Sequence, residues 1–209
     1  MVKGILVCAV VFSMLSASGQ AQEASDAIVE WSNVTAAGSG CPAGEAVITV
    51  SPNGNEISWT APNFGFSLRS PSATSKFCRL SASAAVKPGY YLDAVWHEVS
   101  YGRIKSTEGS SFSIGEQSRF FGFNMTPINR SYPSGTAFNI GKLTLYRIQN
   151  FQTLAPADFF CGGKNPAGLF QATVSANGQV EGEFSTAEIG TKGQTIGYKA
   201  MFRWSPCNS

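Results

Sequence analysis

The 209-residue chain carries a formal charge of only +2, and 13% of its residues are charged. It has no basic run to neutralise phosphates, so composition excludes a nucleic-acid binder and gives no support for binding an anionic membrane. Abundant Ser, Thr, Gly, Asn and aromatics fit an extracellular β domain and not the charge-rich composition of a disordered chain.

Lys3, an apolar stretch from Ile5 to Leu15, and the small residues Gly19 and Ala21 have the order of a signal peptide. The apolar run is shorter than the roughly 20 residues of a spanning helix. Residues 1–21 are therefore expected to be cleaved before Gln22, leaving a secreted, extracellular protein with no membrane insertion. Residues 22–40 read as an irregular lead, ending in Ala36-Ala37-Gly38-Ser39-Gly40. Residues 41–209 read as one disulfide-stapled β domain.

Within that domain the dominant period is two. Ala46, Ile48 and Val50 alternate with polar neighbours, Ser51-Pro52-Asn53-Gly54 turns the chain, and Ile57 and Trp59 return. Asn-Gly between alternating runs is a hairpin signal because both residues accept positive φ. Strands are further predicted near 77–85, 90–101, 111–123 and 140–149. The segment 124–139, rich in Asn, Pro, Ser and Gly, is expected to be the longest loop. Long loops on β scaffolds often bind, so Asn124, Asn129, Arg130 and Tyr132 are candidate ligand-binding residues.

A short turn of helix is expected near Pro156 to Phe160. A second hairpin is predicted from Phe170, Ala172 and Val174 through Asn177-Gly178 to Val180 and Phe184. The last strand places Ile196, Tyr198, Ala200, Phe202 and Trp204 on one face, with Thr195, Lys199 and Arg203 on the other. Many short strands with Gly, Pro and Asn punctuation predict an all-β, antiparallel β-sandwich-like single domain.

Signal cleavage removes Cys8 and leaves Cys41, Cys78, Cys161 and Cys207. An even number in an oxidising compartment predicts two disulfides, and four cysteines allow three pairings. No two of them sit at zinc-knuckle spacing, and no metal or cofactor motif appears. The cysteine contexts carry a resemblance. Gly38-Ser39-Gly40-Cys41-Pro42-Ala43-Gly44, Lys76-Phe77-Cys78-Arg79-Leu80, Gly89-Tyr90, Tyr101-Gly102, Phe160-Cys161-Gly162 and the terminal Phe202-Arg203-Trp204 with Cys207 follow one another. This order resembles the secreted family catalogued as domain of unknown function 4360, over roughly residues 38–207. The resemblance implies a disulfide-bonded β domain with Cys41 paired to Cys78 and Cys161 to Cys207. It implies no activity.

Enzymatic chemistry is hard to assemble from these residues. His97 is the single histidine and falls in a strand, where Asp93 would share its face about 13 Å away, too far to orient it. It reads as a half-buried or surface strand histidine. Glu181 and Glu183 have a strand spacing near 6.6 Å, within the range of a glycosidase pair, but on a polar hairpin face. Sequons place possible glycans at Asn33 and Asn129. The expected function is a non-enzymatic extracellular binding or structural module whose partner is a carbohydrate or a cell-surface protein. The alternative is a secreted hydrolase using a carboxylate pair.

Overall fold

The computed structural model describes residues 27–207 except 70, 136, 142, 156, 162–165 and 191–195, so the signal segment 1–21 lies outside the described residues. Strands are numbered in chain order. The first sheet runs β1 (Val29–Ala37), β5 (Ser72–Val86), β13 (Ala167–Val180), β8 (Ser110–Phe120), β10 (Ile128–Tyr132), with β9 (Phe123–Asn124) also paired to β8. The second runs β12 (Leu143–Asn150), β6 (Tyr90–Tyr101), β15 (Ile196–Pro206), β3 (Glu56–Ala61), β2 (Val47–Val50). A third, smaller sheet joins β11 (Phe138–Ile140), β7 (Ile104–Ser106), β14 (Thr186–Ile189) and β4 (Phe66–Arg69). Every pairing is antiparallel. The fold is an all-β, sandwich-like one.

Alternation builds the core. Phe170, Ala172 and Val174 of β13 and Phe112, Ile114 and Phe120 of β8 point inward from the first sheet. Ile196, Tyr198, Ala200 and Phe202 meet them from the second, as the terminal pattern predicts. Phe202 packs on Trp31, Phe120 and Phe170, with ring centroids 5.1–5.3 Å apart, which fastens one sheet to the other. The disulfides are Cys41–Cys78 and Cys161–Cys207, closing 37 and 46 residues, as the resemblance implies. Loops of that size correspond to about 4 kcal/mol each on the chain-entropy account. The second bridge ties a single helical turn, α1 (Ala157–Cys161), to the end of β15.

Three expectations are corrected. Residues 29–37 are an edge strand, not an irregular lead. Asn33 sits at φ 51° in a bulge that shifts the register between Ser32 and Thr35, and this hides the alternation of Val29 and Trp31. The expected loop 124–139 contains β10 and part of β11. Asn177-Gly178 is no turn: β13 passes straight through it, paired to β5 and β8. Gly178 is needed for close approach, since a Cβ there would lie 2.6 Å from the Phe66 ring. Phe184, predicted on the apolar face of the returning strand, is 95% exposed beyond the end of β13.

Candidate ligand-binding face

Two polar assemblies stand out, one inside the sandwich and one on its surface. The inner one centres on His97, which is 1% exposed and therefore neither half-buried nor on the surface. Its Nδ1 lies 2.8 Å from the Tyr198 hydroxyl and 3.8 Å from Oε1 of Glu116, which reaches across from β8; Nε2 meets Met125 Sδ at 2.9 Å. Close by, the Tyr101 hydroxyl donates to the carbonyls of Gly115 and Ser175, both at 3.3 Å.

Burial, helped by the charge of Arg147, lowers the His97 pKa to about 4, so the ring is neutral. Burial raises Glu116 to about 7, with the Ser118 hydroxyl and Arg147 pulling it partly back. Burial also raises both tyrosines, and the Glu116 charge adds to the effect. An acid and a base with perturbed pKa values resemble catalytic machinery. Here they are sealed: Glu116 is 2% exposed, and the surface depressions described below are lined by neither group. Catalysis needs hydrogen-bond reach to a substrate, which this burial denies. The two groups face each other across the core, His97 from the second sheet and Glu116 from the first.

Asp93 is not on the His97 face. A register shift between Arg203 and Trp204 makes it the extra residue in β6 and turns it outward to Arg203 Nε at 2.6 Å. Glu181 and Glu183 lie beyond β13 in an exposed turn, with Glu181 accepting from Gln179 Nε2 at 3.2 Å. Neither lines a depression described here.

The outer assembly occupies the solvent face of the first sheet. Side chains between the inward apolar positions make two adjacent rows across the strands. One row is Arg79, Thr173 and Gln117; the next is Ser81, Gln171, Arg119 and Asn124. Together, Arg79, Gln117, Arg119, Asn124, Gln171 and Thr173 line a depression of about 300 Å³. Arg79 Nε donates to Thr173 Oγ1 at 3.2 Å and Gln171 Nε2 to Ser81 Oγ at 3.5 Å. Among the described residues, no side-chain bond uses Gln117, Arg119 or Asn124. Phe77, 41% exposed, borders the rows, and Gly38 leaves the space beside its ring. Further along, Ser75, Asn177, Ser113 and Ser131 continue the polar field into a larger depression of about 810 Å³.

The predicted site residues divide over the two sides of β9 and β10. Asn124 joins the second row, and Asn129, paired with Gly115, packs its Oδ1 over that glycine on the same face. Arg130 and Tyr132 lie on the opposite side with Ile128. The guanidinium stands 5.4 Å from the Tyr132 ring, which packs on Phe112 and lines the larger depression. Asn33 is exposed in the β1 bulge, remote in sequence from these rows. Sequence reasoning missed Arg79, Gln117, Arg119, Gln171 and Thr173. The signal was present: Gln171, Thr173, Ser175, Asn177 and Gln179 alternate strictly, but the false turn at Asn177-Gly178 cut the series.

The sequence pattern described as domain of unknown function (DUF4360) matches residues 28–207. The chain belongs to this family. No curated protein matches it. Among solved structures, DUF4360 architecture here is similar to TmCBM61 in complex with β-1,4-galactotriose, at 11% identity over 84% of this chain and 89% of that one, TM-score 0.27. It is also similar to the enzymatically active domain of bacteriophage CBA120 tailspike protein 4, at 11% identity, TM-score 0.25. That match covers 83% of this chain, which spans about a fifth (19%) of the tailspike chain. Likenesses at this level bear on neither ligand nor activity.

Proposed function

We propose that this DUF4360 protein is a secreted binding module that takes a hydroxyl-rich glycan on the outer face of its first sheet. The observation that carries the reading is the pair of cross-strand rows on the solvent face, where Gln117, Arg119 and Asn124 make no side-chain hydrogen bond among the described residues, and Arg79, Thr173, Ser81 and Gln171 bond only within the rows. Sugar hydroxyls need such donors and acceptors at fixed positions, and a rigid sheet supplies them with little ordering cost. Phe77 offers an apolar edge for the face of a sugar ring. Two disulfides and the apolar segment at residues 5–15 support an extracellular setting, and no helix among the described residues is long and apolar enough to cross a membrane. The hydrolase alternative draws no support from a sealed Glu116 and an exposed Glu181–Glu183 turn.

Affinity electrophoresis of the disulfide-bonded protein through gels containing different polysaccharides tests the reading. At least one polymer should retard the protein, and Gln117→Ala with Gln171→Ala should weaken that retardation about tenfold, the loss of one or two hydrogen bonds. Free migration through every polymer would remove the basis of the proposal.

A further inference from the structure

The rows have a sign as well as a polarity. Strands β5, β8, β9, β10 and β13 together contain one carboxylate, Glu116, and it points into the core. The outer face of these strands therefore presents Arg79 and Arg119 with no acid between them. Among the described residues, no carboxylate lies within ion-pair distance of either guanidinium. On the second sheet, by contrast, Arg203 is answered by Asp93 at 2.6 Å.

The spacing of the two arginines is set by the sheet. Arg79 pairs with Thr173 and Arg119 with Gln171, on opposite sides of β13 and two residues apart along it. Two inter-strand steps and two residues of rise separate their Cα atoms by about 12 Å. Both side chains line the same depression, with Gln117, Gln171 and Thr173 between them. Guanidinium groups recognise carboxylates through paired parallel hydrogen bonds, and the amides between them suit hydroxyls. A neutral sugar would leave both guanidinium charges unanswered.

We propose that the glycan bound here is acidic: a polysaccharide of uronic acid residues, its carboxylates taken by Arg79 and Arg119 and its hydroxyls by Gln117, Gln171 and Asn124. This rests on the glycan reading of the same face. Binding follows sugar stereochemistry as well as charge, because only two groups in the row are cationic.

The test compares the purified protein on a polyuronate, the same polymer with its carboxyls reduced to alcohols, and a sulfated polymer of matched charge density. Tightest binding to the polyuronate is expected, about tenfold or more above the reduced polymer, the span of a charge-assisted hydrogen bond. Arg79→Gln with Arg119→Gln should abolish that difference, and Arg79→Lys with Arg119→Lys, which keeps charge but not the fork, should restore part of it. A native unfolding midpoint for each variant ties the loss to the site. Equal binding to polyuronate and reduced polymer, untouched by the Gln substitutions, overturns the acidic assignment and leaves the glycan reading standing. Sulfated polymer bound as tightly as polyuronate overturns the carboxylate in favour of charge alone. No binding to any of the three overturns the acidic assignment, and the broader panel of neutral polymers then decides the glycan reading separately.

Discussion

The two large sheets bury similar cores and present very different outer faces. The second sheet satisfies itself. On its outer face Arg203 meets Asp93 at 2.6 Å and Lys199 meets Glu56 at 4.0 Å. Ser100 lies 3.4 Å from both Glu98 and Thr144, while Ile148, Trp96 and Met201 share one cross-strand row. Across β5, β13 and β8 the first sheet instead sets hydroxyls, amides and two arginines without a carboxylate partner, bordered by Phe77 and Leu169. Exposure does not separate the two faces, because Tyr146 on the second sheet is 75% exposed. What separates them is whether polar groups close on one another or remain open to a partner.

The comparison breaks most severely if the sheets come apart. His97→Ala leaves the buried Tyr198 hydroxyl without its partner and opens a cavity beside Glu116, so it should cost about 2–4 kcal/mol of unfolding free energy in denaturant titration and disturb both faces alike. A pH series on milder variants separates the two groups. His97 is held at about 4 in the fold against an ordinary 6.5, so its contribution is full above pH 6.5 and is lost as pH falls through 4. Glu116 is held at about 7 against 4.5, so its contribution is full below pH 4.5 and is lost as pH rises through 7.

These slopes oppose each other between pH 4.5 and 6.5, and wild-type stability should be nearly flat there. Glu116→Gln should leave the rising His97 limb, and His97→Gln the falling Glu116 limb, each spanning about 3 kcal/mol. Parallel slopes in the two variants would show that the groups are not held neutral by burial. Smaller effects sharpen the contrast between faces. Arg203→Gln should cost about 0.5 kcal/mol and leave glycan retention unchanged, as expected for a surface ion pair. Gln171→Glu places a carboxylate directly opposite Arg119. It should raise stability by a few tenths of a kcal/mol while abolishing binding to polyuronate, making the first sheet resemble the second.

Period-two reasoning found β6, β15 and the β2–β3 hairpin because their inward residues are large and apolar, and the hairpin's turn carries Asn53-Gly54. It failed where one residue can serve two purposes. Gly54 turns the chain at φ 72°, whereas Gly178 admits the Phe66 ring in extended backbone, and the dipeptide Asn-Gly is the same in both places. Edge strand β1 was hidden by a single bulge residue. The binding rows were harder still: Arg79, Gln117, Gln171 and Arg119 come from three strands that are neighbours in the fold and distant in the chain. Their alternation is legible, but the lateral order β5–β13–β8 that brings them side by side is not.

That lateral order also governs when the protein can fold. β13 sits in the middle of the first sheet and β15 in the middle of the second, yet both belong to the chain from residue 167 onward. Before they emerge from the ribosome, β5 has no route to β8, nor β3 to β6. The Cys161–Cys207 bridge closes only after that point, whereas Cys41–Cys78 can close early. Such non-local pairing delays cooperative folding until synthesis of this region is complete. A growing chain that cannot close either sheet stays extended, and it gains its rigidity only when β13 and β15 slot between strands already made.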